Sequence, residues 1–263
     1  MSSEPPFDLM SREQLTRRRG RLLARIGRKY ETISETLPFG PLRLDFTRVA
    51  DPDVVLDRIV VEEDRREKLS GQQRDGNELH LPYWAEVWDS AFGIGLFLVK
   101  NPPRRSVLDL GCGMGLAGIV AAAMGARVLL GDLEADALLF AKLNTLPYSN
   151  RVRIRKLNWQ SDRLNQRFDL IIGADVLYDR AQWPFLEDFW KLHLENGGTV
   201  LLGEPGRQSG DMFIEWIASR GWLLERFEQG VESRGKTIRL FKLAQKNTDN
   251  PPMPCESGLI KPF

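Results

Sequence analysis

Residues 107–118, VLDLGCGMGLAG, run from an apolar stretch through a glycine-rich turn into a helix-like segment. Glycines at such a turn let the backbone approach a ligand closely. In open parallel sheets, ligands bind beyond the carboxyl ends of the strands, where the strand order reverses. A nucleotide-like cofactor is therefore expected, and the run can be parsed in two ways. Gly113, Gly115 and Gly118 match the dinucleotide fingerprint, with Asp132 at about the spacing of the acid that holds a ribose. That parse implies an NAD-dependent oxidoreductase, although no hydride-transfer constellation accompanies it. The other parse joins Asp109 to Gly111, Gly113 and Gly115, with an acid two residues before the first glycine. A carboxylate there repels a diphosphate and attracts an ammonium group, which favours S-adenosylmethionine.

These residues need a scaffold, and from about residue 79 onward strand-like apolar runs alternate with helix-like segments. The strands are expected at 105–110, 127–131, 152–157, 168–174, 199–203, 222–228 and 236–243, and the helices between them near 116–124, 134–145, 181–194 and 210–219. Gly197, Gly198 and Gly221 stand where helix stops belong. The last two strands are joined by QGVESRG, too short for a crossover, so they pair as an antiparallel hairpin. The predicted fold is α/β, a doubly wound Rossmann-like sheet of seven strands closing in that hairpin. Domain limits follow as 1–78 for a mostly helical extension, 79–244 for the sheet domain and 245–263 for a fraying tail. Within the extension, residues 12–29 form an amphipathic basic helix, which either packs by its Leu/Ile stripe or meets an acidic partner. A short strand is expected in 41–50, then a helix capped by Asp51-Pro52 and a polar linker at 70–78. Residues 1–30 are expected to be removable without loss of cofactor binding.

The motif at 107–115 resembles the first motif of class I, seven-strand S-adenosylmethionine-dependent methyltransferases, and the resemblance covers roughly residues 79–244. It implies that Asp109 with Gly111, Gly113 and Gly115 holds the methionine end of the cofactor. It also implies that Asp132 takes the ribose hydroxyls and that Asn158 and Trp159 face the adenine. The fourth strand ends in FDLIIGADVLYD, which puts Asp175 and Tyr178 at the carboxyl edge of the sheet. Asp175-Val-Leu-Tyr178 resembles the D/E-x-x-Y/F tetrad of seven-strand protein-lysine methyltransferases, a family that acts on chaperones and on the electron-transfer flavoprotein. Pro82-Tyr83-Trp84-Ala-Glu86-Val-Trp88 resembles that family's upstream motif, in which a Trp, here Trp88, precedes a helix over the cofactor. The catalytic pair implied is Asp175 and Tyr178, orienting an amine between walls made by Trp84 and Trp88, with Asp175 and Trp88 also expected to touch the cofactor. No Asn-Pro-Pro-Tyr run is present, which argues against methylation of adenine or glutamine amides. Glu204 and Arg207 fall on the acceptor rim or on a plain charged turn. The acceptor is then a protein lysine, or alternatively a small amine; a non-catalytic binding module that works through the basic helix is a third reading.

Composition narrows the field further. With 263 residues, 42% hydrophobic and a formal charge of +1, the chain excludes general disorder, collagen and a membrane protein. So small a net charge argues against nucleic acid as the partner. Two cysteines, Cys112 and Cys255, make neither a disulfide framework nor a zinc cluster, and His80 and His193 are too far apart in sequence to suggest a metal. No metal site is expected, and Cys112 is given no catalytic role. No signal-peptide core or apolar span occurs, so a cytoplasmic location is expected. The oligomeric state is left open by the sequence.

Overall fold

Ser11 starts the first helix with a capping box: its Oγ accepts from the Gln14 N–H and the Gln14 side chain accepts from the Ser11 N–H. This is helix α1 (Arg12–Ile26) in a computed structural model that describes residues 11–70, 82–103 and 105–246. Segment 71–78, His80, Cys255 and the tail from 247 lie outside the described residues. Leu15, Leu22 and Leu23 of α1 rest on the hydrophobic core and Ile26 is fully buried, while the arginines stay outside. The packed-stripe reading of this helix therefore holds.

Strands β1 (Thr32–Phe39) and β2 (Leu42–Val49) follow as an antiparallel hairpin turning at Gly40, whose φ of 60° is left-handed. Only the second of these strands is legible in the sequence. Pro38, opposite Arg43, hides the first, yet an edge strand tolerates proline because its outer side needs no donor. Asp51 then caps α2 (Pro52–Ser70) through the Asp53 N–H, at 3.0 Å.

The sheet domain continues with α3 (Asp89–Lys100), β3 (Ser106–Leu110), α4 (Leu116–Ala123), β4 (Arg127–Asp132), α5 (Ala135–Asn144), β5 (Val152–Lys156) and β6 (Phe168–Ala174). It ends with α6 (Trp183–His193), β7 (Leu194–Glu204), α7 (Gln208–Ala218), β8 (Trp222–Val231) and β9 (Lys236–Gln245). The strand order is β5-β4-β3-β6-β7-β9-β8, parallel except where β9 pairs with β7 and β8. The seven-stranded doubly wound sheet and its terminal hairpin are as the sequence predicts. One element differs: β7 begins at Leu194, so Gly197 and Gly198 lie inside an irregular strand and are not helix stops. A Cβ on Gly198 would stand 3.0 Å from the Asp169 carbonyl oxygen, so glycine is needed there for close backbone approach.

Strand order reverses between β3 and β6, and their carboxyl ends define the crevice where a ligand belongs. One face of the sheet carries α3, α4 and α5 together with the N-terminal elements: Ile26, Phe39 and Phe46 share a core with Ile94, Val120 and Phe140. The other face carries α6 and α7 through Phe189, Trp190 and Phe213. A buried amide joins the hairpin to the crevice. Asn144 accepts from the Thr47 N–H at 2.8 Å and donates to the carbonyls of Thr47 at 2.9 Å and Met114 at 3.2 Å. It therefore ties β2 to the glycine turn.

Because Ile26 contributes a fully buried side chain to this shared core, Ile26→Ala should destabilise the protein by about 2–4 kcal/mol in urea unfolding. A loss below about 0.5 kcal/mol, as at an ordinary exposed position, would mean that α1 is not docked.

Candidate active site

The glycine turn grows out of β3 as a sequence of left-handed residues that side chains resist: φ is 69° at Gly111, 52° at Gly113 and 92° at Gly115. Gly111 and Cys112 donate to the carbonyl of Gly131, at 2.8 and 3.1 Å, which pins the turn to β4. Above Gly113, the nearest atom to a notional Cβ is the Trp84 carbonyl oxygen at 3.8 Å. Bare backbone thus lines the crevice there. Gly118 serves packing instead, since a Cβ would come within 2.2 Å of Leu130 Cδ2.

Three carboxylates converge on this end of the sheet, and burial pushes the pKa of each upward. Asp109 is almost fully buried; its Oδ2 accepts from the Gly118 N–H at 2.8 Å, and its Oδ1 has no partner among the described residues. Burial raises this carboxyl to about 7, with the Gly118 N–H pulling the other way. Asp132, at the end of β4, accepts from the Gly113 N–H at 2.7 Å and the Glu134 N–H at 2.9 Å. It therefore braces the turn and starts α5 at once, and these N–H groups partly offset the upward pull of burial. Neither Asp109 nor Asp132 makes an ion pair among the described residues. The Cys112 thiol is pushed well above its usual value, mainly by burial, and so stays protonated.

Asp175 follows β6 with φ 57°, the one non-glycine residue with positive φ among those described. Its N–H is held by the Gly203 carbonyl at 2.9 Å. Its Oδ1 pairs with the Arg207 guanidinium, and its Oδ2 is buried without a partner. Burial raises the Asp175 pKa more than Arg207 lowers it. Asp175, Tyr178, Tyr83, Trp88 and Arg207 line a cavity of about 160 Å³. The Tyr83 and Tyr178 rings meet at 5.3 Å, Trp88 Nε1 donates to the Tyr83 carbonyl at 2.9 Å, and the Arg207 guanidinium lies 5.5 Å from the Trp88 ring. The segment that follows Asp175 packs on the glycine turn: a Cβ on Gly111 would fall 3.1 Å from Val176, next in sequence to Asp175, and 3.4 Å from the Trp159 ring.

Of the site residues anticipated, Asp175, Tyr178 and Trp88 meet in one cavity. Gly111, Gly113, Gly115 and Asp132 form one turn, and Asp109 sits beneath the first turn of α4. Trp159 reaches Gly111, with its Nε1 on Gln182 at 3.1 Å. The Asn158 side-chain Oδ1 accepts from the Gln160 N–H at 2.9 Å, shaping its own loop. Trp84 does not wall the cavity. It is buried between Tyr30, at 5.4 Å, and Phe140, at 5.8 Å, and Tyr83 takes the place expected of it. Because Tyr30 packs on Trp84 and the Trp84 backbone lies over Gly113, the end of the N-terminal helical segment is linked to the turn. Glu204 is also not on the rim: it is buried, paired with Arg239, and accepts from the N–H groups of Gly206 and Arg207. Tyr83 is the lining residue that the sequence left unassigned, although it stands beside Trp84 in the motif. Among the described residues no group of three or more His, Cys, Asp or Glu could hold a metal, and no helix is long and apolar enough to cross a membrane.

Comparison with known proteins agrees with this geometry. A family model described as "Lysine methyltransferase" matches residues 66–220. The chain is 37% identical over 128 residues to "Protein N-lysine methyltransferase METTL21A" of Xenopus tropicalis, covering 45% of this chain and 58% of that one. To "Electron transfer flavoprotein beta subunit lysine methyltransferase" of Danio rerio it is 34% identical over 135 residues, covering 48% and 51%. The chain thus spans little more than half the length of these relatives, whereas the match to METTL21A of Mus musculus, 37% identical, covers 62% of this chain and 78% of that one. Among solved structures, the glycopeptide N-methyltransferase MtfA complexed with S-adenosyl-L-methionine aligns with a TM-score of 0.53 at 16% identity, over 63% of this chain and 91% of that one. That likeness is one of fold. By the match of the family model over more than half of its length, the chain belongs to the lysine methyltransferase family.

Proposed function

We propose that this chain transfers a methyl group from S-adenosylmethionine to a lysine amine of a protein. The observation that carries the reading is that Val176, next in sequence to the cavity-lining Asp175, packs over Gly111 of the bare glycine turn. A donor lying on the turn and an acceptor entering the cavity would meet there.

The residues fit the cofactor. Asp109 offers a buried, unpartnered Oδ1 to its amino group, and Asp132 retains lone pairs for ribose hydroxyls. Trp159, beside Gly111, and Asn158 in the same loop are the residues assigned to the adenine. When bound, the cofactor supplies an electrophilic methyl group on a sulfonium. The chain's own work is then placement. Rings of Tyr83, Trp88 and Tyr178 exclude water around the amine and attract it while it is still cationic. Leaving water lowers the amine's pKa, so that it can enter the reaction neutral. Asp175, through its free Oδ2, and the Tyr178 hydroxyl orient the lone pair toward the methyl carbon. In the transfer the amine nitrogen would take the methyl group as the sulfur departs as a neutral thioether, and the amine's proton would pass to solvent.

The two named relatives act on proteins by their titles, which supports a protein acceptor over a small amine. With two cysteines in 263 residues, we assign the chain to a reducing compartment, the cytoplasm.

Two measurements test this reading. Asp175→Ala should cut transfer of radiolabel from S-adenosylmethionine to protein in cell extract by about 100-fold or more, while the cofactor's Kd in isothermal titration stays within about threefold. Label found only in metabolites, or near-normal transfer by the mutant, contradicts the assignment. The second concerns pH. Since the Asp109 carboxyl lies near 7 in the free protein, lowering the pH below 7 leaves it neutral and unable to hold an ammonium. Cofactor affinity should then weaken by about tenfold per pH unit from 7 down to 5.5, with a proton released on binding, and Asp109→Asn should bind weakly with a flat profile. A wild-type affinity independent of pH would mean that Asp109 is already ionised before the cofactor arrives, and unchanged affinity in Asp109→Asn would remove Asp109 from the cofactor site.

A further inference from the structure

The segment from the end of β7 to the start of α7, Gly203-Glu204-Pro205-Gly206-Arg207, is held more tightly than a surface turn requires. Glu204, buried, accepts from the N–H groups of Gly206 at 2.9 Å and of Arg207, and it is paired with Arg239. Arg239 also donates to the Arg207 carbonyl at 2.8 Å and pairs with Asp211 at 2.5 Å. This clamp fixes the Arg207 backbone. From it the guanidinium extends over the Trp88 ring and onto Oδ1 of Asp175, whose own backbone is left-handed and tied to Gly203. The same turn thus fixes both ends of the ion pair. One carboxylate oxygen is taken and the other, Oδ2, is left without a partner.

We propose that Arg207 is the positioning residue of the acceptor cavity, clamping Asp175 through Oδ1 so that Oδ2 alone receives the amine and the carboxylate stays ionised. Only the identity of the incoming amine rests on the methyltransferase reading; the clamp itself rests on the ion pair and the turn. Two physical consequences follow. Without the guanidinium, Asp175 would face burial together with the carboxylates of Glu204 and Asp89, and its carboxyl would hold a proton to higher pH. Asp89 has its own partner in Arg234 and Glu204 has Arg239, so neither compensates Asp175 nor competes for Arg207. With the guanidinium in place, the ion pair is neutral as a whole. An amine entering beside it loses its proton more easily than it would beside a lone carboxylate.

The test uses the full-length protein as wild type, Arg207→Met, which keeps the aliphatic stem, and Arg207→Lys, which keeps the charge. The Asp175 carboxyl is titrated by carbon-13 NMR, its resonance assigned by its loss in Asp175→Asn. The midpoint should rise by about one pH unit or more in Arg207→Met and lie between those two values in Arg207→Lys. Radiolabel transfer from S-adenosylmethionine to extract protein should fall by about tenfold or more in Arg207→Met at pH 7. It should recover toward pH 9, because a raised carboxyl pKa is overcome by higher pH. Unchanged midpoints in both variants overturn the proposal. So does transfer by Arg207→Met equal to or above wild type at pH 7, the result expected of a guanidinium that merely plugs the cavity. Should Arg207→Met lose its cooperative melt, the Arg207→Lys midpoint decides: above wild type supports the clamp, unchanged refutes it. Failure of wild type to bind S-adenosylmethionine would sink the proposed function, yet the Asp175 titration would still settle the clamp.

Discussion

Buried negative charge at the carboxyl edge of the sheet is the constraint on which the rest depends. Asp109, Asp132 and Asp175 all sit there with little exposure, and of the three only Asp175 is matched by a side-chain cation among the described residues. Isolated buried carboxylates are costly unless something positive arrives to share the space. A sulfonium donor that also bears an ammonium relieves that cost, whereas a diphosphate adds to it. Of the two glycine parses, these electrostatics favour the sulfonium donor. Gly118, the residue that makes the dinucleotide fingerprint possible, has a packing role against Leu130 that any helix so close to β3 and β4 would impose.

The crevice also depends on segments far from it in sequence. Asn144 connects β2 to Met114 in the turn, and Tyr30 carries Trp84, whose backbone lies across Gly113. Lys29 and the Tyr30 hydroxyl both engage Asp136 at the start of α5, at 2.9 and 2.6 Å. The N-terminal hairpin and helix thus form part of the wall behind the glycine turn. Their basic outer surface is a separate matter from this inward-facing role.

Much of this was legible in the sequence because periodicity and glycine placement are local signals. The βα alternation, the short link before the last strand and the VLDLGCGMG run each reported on their own neighbourhood, and the structure places them as expected. What escaped was set by tertiary contact. Trp84 and Trp88 look alike in a motif, but only three-dimensional packing shows that one faces Tyr30 and Phe140 and the other faces the cavity. Glu204 and Arg207 were equally ambiguous, since a buried clamp on Arg239 leaves no trace in local composition. Strand β1 was hidden by Pro38, which reads as a breaker until its position on an edge is known. Asn144 gave no signal at all, being one amide in an ordinary helix end.

The central claim is that donor and acceptor sites meet across Gly111 and Val176. A crystal structure of the full-length protein with S-adenosylhomocysteine tests it most directly. The account predicts the ligand's amino group on Asp109 and its sulfur facing the cavity between Tyr83, Trp88 and Tyr178. A ligand bound away from the 111–115 turn, or seated there with its sulfur turned from that cavity, would contradict it.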